Sequence, residues 1–123
     1  MAAYYNVWAG GLVEMAYDQG LAERVRELFA DRPGIVEKKM FGGLCWLING
    51  NMAGGVYKEF LIVRVGPDKE AAALAQPHAR RFDITGRPMK GWVMVSSEGY
   101  EEDEDLARWF GMGIDFAGDL PPK

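Results

Sequence analysis

The dipeptide Asn49-Gly50 lies between two apolar runs, "LCWLIN" and "MAGGVYK". It constrains the fold of this chain more than any other two residues. Both residues tolerate positive φ, and Asn-Gly between strand-like runs is the strongest short hairpin signal. Strands joined this way are antiparallel. The same region holds Gly42, Gly43, Gly50, Gly54 and Gly55. A phosphate-binding loop would need a strand, then glycines, then a helix N-terminus whose N–H groups face the anion. Here β-like "LCWLIN" follows Gly43, and neither a Walker pattern nor G-x-G-x-x-G is present. The glycines therefore read as hairpin and bulge positions, where backbones bend or approach closely.

The rest of the chain supplies helices and more strands. Asp18 is a candidate N-cap, followed by Leu21, Val25, Leu28 and Phe29 on one helical face. "DRPG" stops this helix, because Pro33 biases Arg32 away from helical angles, which predicts a helix over 18–31. Strand-like runs follow at about 36–49, 52–58 and 60–66. In the third, apolar residues occupy both alternating faces, as in a central strand covered on both sides. "GPDKEAAALAQP" predicts a short helix with Pro67 in its first position. "RRFDI" and "GWVMVSS" predict two more strands joined by "TGRPMK", with Trp92, Met94 and Ser96 on one face and Val93 and Val95 on the other. A last helix starts in the acidic run Glu101–Asp105 and carries Leu106, Trp109, Phe110 and Ala117 at helical spacing. Gly111 and Gly113 lie inside it, each costing about 1 kcal/mol against alanine. The order α-β-β-β-α-β-β-α predicts a two-layer α+β fold: an antiparallel sheet of about five strands with helices on one face.

A chain of 123 residues suits one domain. Its formal net charge of -4 gives no global attraction to nucleic acid or anionic membrane. No run of roughly 18 apolar residues occurs. With one cysteine, Cys45, no intramolecular disulfide can form, which fits a cytoplasmic protein. The apolar opening "MAAYYNVWAGGLVE" has no basic n-region of a signal peptide. Residues 1–14 are expected to be a leader or added extension ahead of a domain over 15–123, with Met15 as the natural start. The alternative is an edge strand, "YYNVW", docked on the sheet or on a second chain.

No catalytic, cofactor-binding or metal-ligating residue can be nominated, and no cofactor is expected. Cys45, flanked by Leu44 and Trp46, reads as a buried structural thiol rather than a nucleophile. His78 in "QPHARR" reads as a lone loop histidine. The acidic run lacks the interleaved glycine of a calcium loop and reads as a solvated helix start. The best surface candidate is the basic segment Arg80, Arg81, Arg87 and Lys90 with Trp92, since arginine beside an exposed aromatic grips phosphates or acidic protein patches. The plainer alternative is a turn whose long side chains lie over the sheet edge.

Taken together, "KKMFGG", "NGNMAGGVYKEFLIVRVGP" and "ALAQPHARRFDITGRPMKGWVMV" resemble the N-terminal domain of the TfoX/Sxy family, from about Met15 to Lys123. The resemblance implies a two-layer α+β domain with an antiparallel sheet and no enzymatic activity. Members named for function are regulators of bacterial competence that help the cyclic-AMP receptor protein at certain promoters. Those regulators carry a second, C-terminal domain; this chain resembles a stand-alone N-terminal domain. The resemblance implies a protein partner, with the transcription machinery as its class. Nucleic-acid binding through the basic turn is the second reading, disfavoured by the net charge. A small-ligand or enzymatic use of Cys45 and the glycine hairpin is the third. A homodimer would cover the edge strands that a meander leaves open.

Overall fold

The computed structural model describes residues 4–8, 11–15, 17–40, 42–83, 86 and 89–123, with 4–8 and 11–15 described as backbone. A hairpin comes first, β1 (Tyr4–Trp8) paired with β2 (Gly11–Met15). Then come α1 (Gln19–Leu28), β3 (Ile35–Met40), β4 (Gly43–Ile48), β5 (Asn51–Tyr57) and β6 (Phe60–Arg64). The chain continues through α2 (Glu70–Leu74), β7 (Ala79–Arg81), β8 (Trp92–Val95), α3 (Ser97–Tyr100) and α4 (Asp103–Gly118). The last six strands form one antiparallel sheet in the order β3-β4-β5-β6-β8-β7. The fold is α+β, as the hairpin signals require.

Local chemistry sets most boundaries. The Asp18 carboxylate accepts from the Leu21 N–H at 3.1 Å and caps α1. Asn49 and Gly50 have φ of 52° and 84°, as a two-residue hairpin turn demands. Lys58 takes the same left-handed conformation in the next turn, with φ 52°.

Four expectations need correction. The run at 36–49 is two strands, because the chain reverses between Met40 and Gly43, which pair across β3 and β4; Gly42 supplies the positive φ of 75°. The sheet therefore has six strands. Helix α1 ends at Leu28, so Pro33 falls in the following turn and does not stop the helix itself. Pro67 does not open α2: Gly66 at φ 87° and a turn over 67–69 precede a helix of only five residues. A short α3 precedes α4, capping the chain's exit from β8.

The helices cover one face of the sheet. Leu21, Ala22 and Val25 of α1 and Leu106, Trp109, Phe110, Ile114 and Ala117 of α4 pack on Leu44, Trp46, Ile48, Val56, Leu61, Val63, Val93 and Val95. Gly113 explains how α4 lies so close to the sheet. A Cβ at that position would fall 2.1 Å from the Ala53 carbonyl oxygen in β5. Gly111 faces open space.

The tail is tied to the Asn-Gly turn. Asn51, 1% exposed, donates its side-chain amide to the Pro121 carbonyl at 3.0 Å, and the Lys123 N–H donates to the Asn49 carbonyl at 2.8 Å. Asn51→Leu leaves the Pro121 carbonyl without this donor, and is expected to cost roughly 1–3 kcal/mol. Chemical denaturation checks the cost, and faster amide exchange at Lys123 would report release of the tail.

Candidate binding face

Among the described residues, no helix lies on the second face of the sheet. Strand register fixes which residues reach it: Lys38 and Met40 on β3, Gly43 and Cys45 on β4, and Gly55 and Tyr57 on β5. Phe60, Ile62 and Arg64 on β6, Trp92 and Met94 on β8 and Arg80 on β7 lie on it too, as do Val36 and Leu47 at its far edge. Ile62, Phe82, Trp92 and Met94 form a separate buried cluster there, flanked by Met52, Tyr57 and Phe60. The rings of Phe82 and Trp92 lie 6.1 Å apart. Beside this cluster the Met89 N–H donates to the Phe82 carbonyl at 3.1 Å.

Between β4 and β5 on this face lies a cavity of about 190 Å³. Met40, Cys45, Met52, Ile62, Met89 and Trp92 contribute to its wall, and Gly43 and Gly55 to its floor. The lining is apolar apart from the Cys45 thiol and the Tyr57 phenol. Burial pushes the Cys45 thiol above its ordinary pKa, which keeps it protonated and a poor nucleophile at neutral pH.

Cations stand around this apolar centre. The Arg80 guanidinium lies 4.7 Å from the centroid of Phe60, Arg64 lies 5.5 Å from that of Trp92, and Lys58 lies 5.5 Å from that of Tyr57. Arg64 also donates to the Met52 carbonyl at 3.3 Å. Lys38 pairs in register with Cys45 and is exposed. Among the described strand positions on this face, Lys38, Arg64 and Arg80 are charged and no carboxylate occurs. Glu59 and Asp83 lie outside the strands, in the connections beside them.

The basic segment named from sequence is divided by the strand. Arg80 and Trp92 join the helix-free face, whereas Arg81 pairs with Val93 and points the other way. Trp92 is 8% exposed, so it is a cavity wall and not an exposed stacking platform. Lys90 is exposed in the turn before β8, and Arg87 lies outside the described residues. The sequence reading missed Met40, Met52, Tyr57, Phe82 and Met89. Their signal was the apolar second face of β6 and β8, where Phe60, Ile62, Trp92 and Met94 would have no reason to be apolar without cover.

A second cavity of about 200 Å³ lies between α1, β3 and α4, bordered by Arg26, Phe29, Glu37 and Trp46. Two of the charges on its border pair with each other: Arg26 donates twice to Glu37, at 2.6 and 2.9 Å. That hydrogen-bonded guanidinium holds the Glu37 carboxyl below its ordinary pKa, with a smaller contribution from the Trp46 side chain. A depressed carboxylate stabilises the fold fully above its unfolded pKa, and the contribution is lost as pH falls through the folded value. The stability difference between wild type and Glu37→Gln should therefore be constant above roughly pH 5 and shrink below about pH 4.3. Denaturant titrations across that range check it. Both partners are partly exposed, so the effect is small.

The chain is thus a two-layer α+β domain with an apolar recess in one sheet face, its single thiol held neutral. Residues 27–117, most of the chain, match the family described as the TfoX N-terminal domain, and the chain belongs to that family. Searches of the curated proteins and of the solved structures return no match. Among the described residues, no helix is long and apolar enough to cross a membrane.

Proposed function

We propose that this domain is a non-enzymatic protein-interaction module whose helix-free face takes one large apolar side chain of a partner protein. The observation that carries this reading is the size and lining of the recess. Sites for drug-sized molecules and cofactors run to about 300–1,000 Å³ and contain convergent polar groups. A recess of about 190 Å³ walled by methionine, tryptophan and isoleucine is smaller and almost wholly apolar. It suits a single anchor residue, the commonest source of affinity in protein interfaces. Methionine walls adapt to the shape of what enters. Family membership supports a regulatory setting, in which the partner belongs to the transcription machinery and the protein acts in the cytoplasm.

Filling the recess tests the reading. Cys45→Phe places a ring where the thiol borders the cavity. A photo-crosslinking residue at Met89, which is 42% exposed at the rim, reports on partners in the source cell. The expected result is a defined crosslinked partner that disappears in the Cys45→Phe background, with the melting temperature preserved. Deletion of the gene and Cys45→Phe should then change the same transcripts. A crosslink that persists in a folded Cys45→Phe protein would show that the recess is not the docking point.

A further inference from the structure

The partner's chemistry can be taken one step further, resting on the anchor reading above. We infer that the segment entering the recess is acidic: one large apolar residue flanked by carboxylates. The argument is the distribution of charge. The chain as a whole is negative, with a formal net charge of -4. Yet the described strand positions on the helix-free face carry Lys38, Arg64 and Arg80 and no carboxylate, while Lys58 stands at the edge of the same face. None of these four has an acidic partner among the ion pairs of the described residues, which join Arg24, Arg26 and Arg108 to acids elsewhere. The carboxylates gather instead at the start of α4, in Asp103, Glu104 and Asp105.

The cations are also held in place. The Arg80 guanidinium lies 4.7 Å from the Phe60 centroid, and that of Arg64 lies near both Trp92 and Phe116, at 5.5 and 5.2 Å from the ring centroids. A guanidinium held over a ring loses little side-chain entropy on binding a carboxylate, and Arg64 can offer one the N–H groups that do not donate to the Met52 carbonyl. An apolar recess on a face that carries such groups favours an acidic segment and repels a basic one, and so supplies specificity as well as attraction.

Methyl-labelled methionine gives a direct readout. Met40, Met52 and Met89 border the recess, whereas Met112 lies on α4 against the other face. The probes are three short synthetic peptides: tryptophan flanked by glutamates, tryptophan flanked by lysines, and alanine flanked by glutamates. The tryptophan–glutamate peptide is expected to shift the methyl signals of Met40, Met52 and Met89 and leave Met112 unmoved. Its affinity should fall as salt rises, and the other two peptides should bind at least tenfold more weakly. Arg80→Glu and Lys38→Glu, both at exposed positions, should each lower its affinity roughly tenfold without changing the melting temperature.

Equal binding of the glutamate and lysine peptides at the recess would overturn the acidic partner and leave the anchor reading standing. Silence from every peptide, with Cys45→Phe still abolishing the crosslink, would overturn the acidic segment as sufficient. Decanoate moving the three methyl signals while the peptides do not would overturn both readings in favour of a small amphipathic anion. Methyl shifts that follow protein concentration with no peptide present would do so in favour of a second copy of this chain.

Discussion

Gly113→Ala should destabilise the domain by about 3 kcal/mol, and Gly111→Ala should stabilise it by up to about 1 kcal/mol. The two glycines lie in the same helix, two residues apart, and identical substitutions at them should have opposite signs. At Gly111 nothing lies within 4 Å of an added Cβ, so alanine simply removes the entropic cost of a glycine inside a helix. At Gly113 the added carbon would fall 2.1 Å from the Ala53 carbonyl oxygen, and 3.3 Å from Val63. The obstacle is backbone in a central strand, which cannot rotate away as a side chain would. The helix would have to lift, loosening Trp109, Phe110 and Ile114, all of them 1% exposed. Close-packed interiors do not absorb such a shift cheaply. At roughly 3–5 °C per kcal/mol for a chain of this size, thermal melts should separate the two variants by roughly 9–20 °C. Equal shifts, or a stabilised Gly113→Ala, would show that α4 does not rest on β5 as described.

This pair also shows what the sequence could and could not reveal. Helix periodicity over Leu106, Trp109, Phe110 and Ala117 located α4, and Asn49-Gly50 located the central hairpin, because both signals are local. The two glycines of α4 looked alike in sequence, since only the packed partner distinguishes them. The reversal between Met40 and Gly43 was missed for a related reason. Apolar residues run through it without a break, and the second glycine, Gly43, is a strand residue. The site was legible only in part. Arg80 and Trp92 were named together as one surface, and both reach the helix-free face. Their neighbour Arg81 points away, because adjacent residues on a strand face opposite sides. The methionines of the recess come from β3, β5 and the turn before β8, and only register across the sheet brings them together.

Gly43→Ala and Gly55→Ala should each cost about 2–3 kcal/mol, and the double variant should cost less than their sum. A Cβ at Gly43 would fall 2.4 Å from the Val56 carbonyl oxygen, and one at Gly55 would fall 2.2 Å from that of Leu44. Leu44 pairs with Val56, and Cys45 with Gly55, so both collisions occur in one short stretch where β4 and β5 run unusually close. The register shift between Trp46 and Leu47 lies just beyond it, and a bulge of this kind sharpens the local twist. Separating the two strands relieves either collision. Once Gly55→Ala has forced that separation, the carbon added by Gly43→Ala enters space already opened. A double-mutant cycle should therefore give a coupling of about 0.5–3 kcal/mol in the relieving direction. The same separation would widen the recess from below, because Gly43 and Gly55 form its floor. Cys45 should become more reactive toward a thiol reagent in either single variant while the domain is still folded. Additive costs, with Cys45 reactivity unchanged, would mean that the two glycines relieve separate strains and that the recess does not depend on the spacing of β4 and β5.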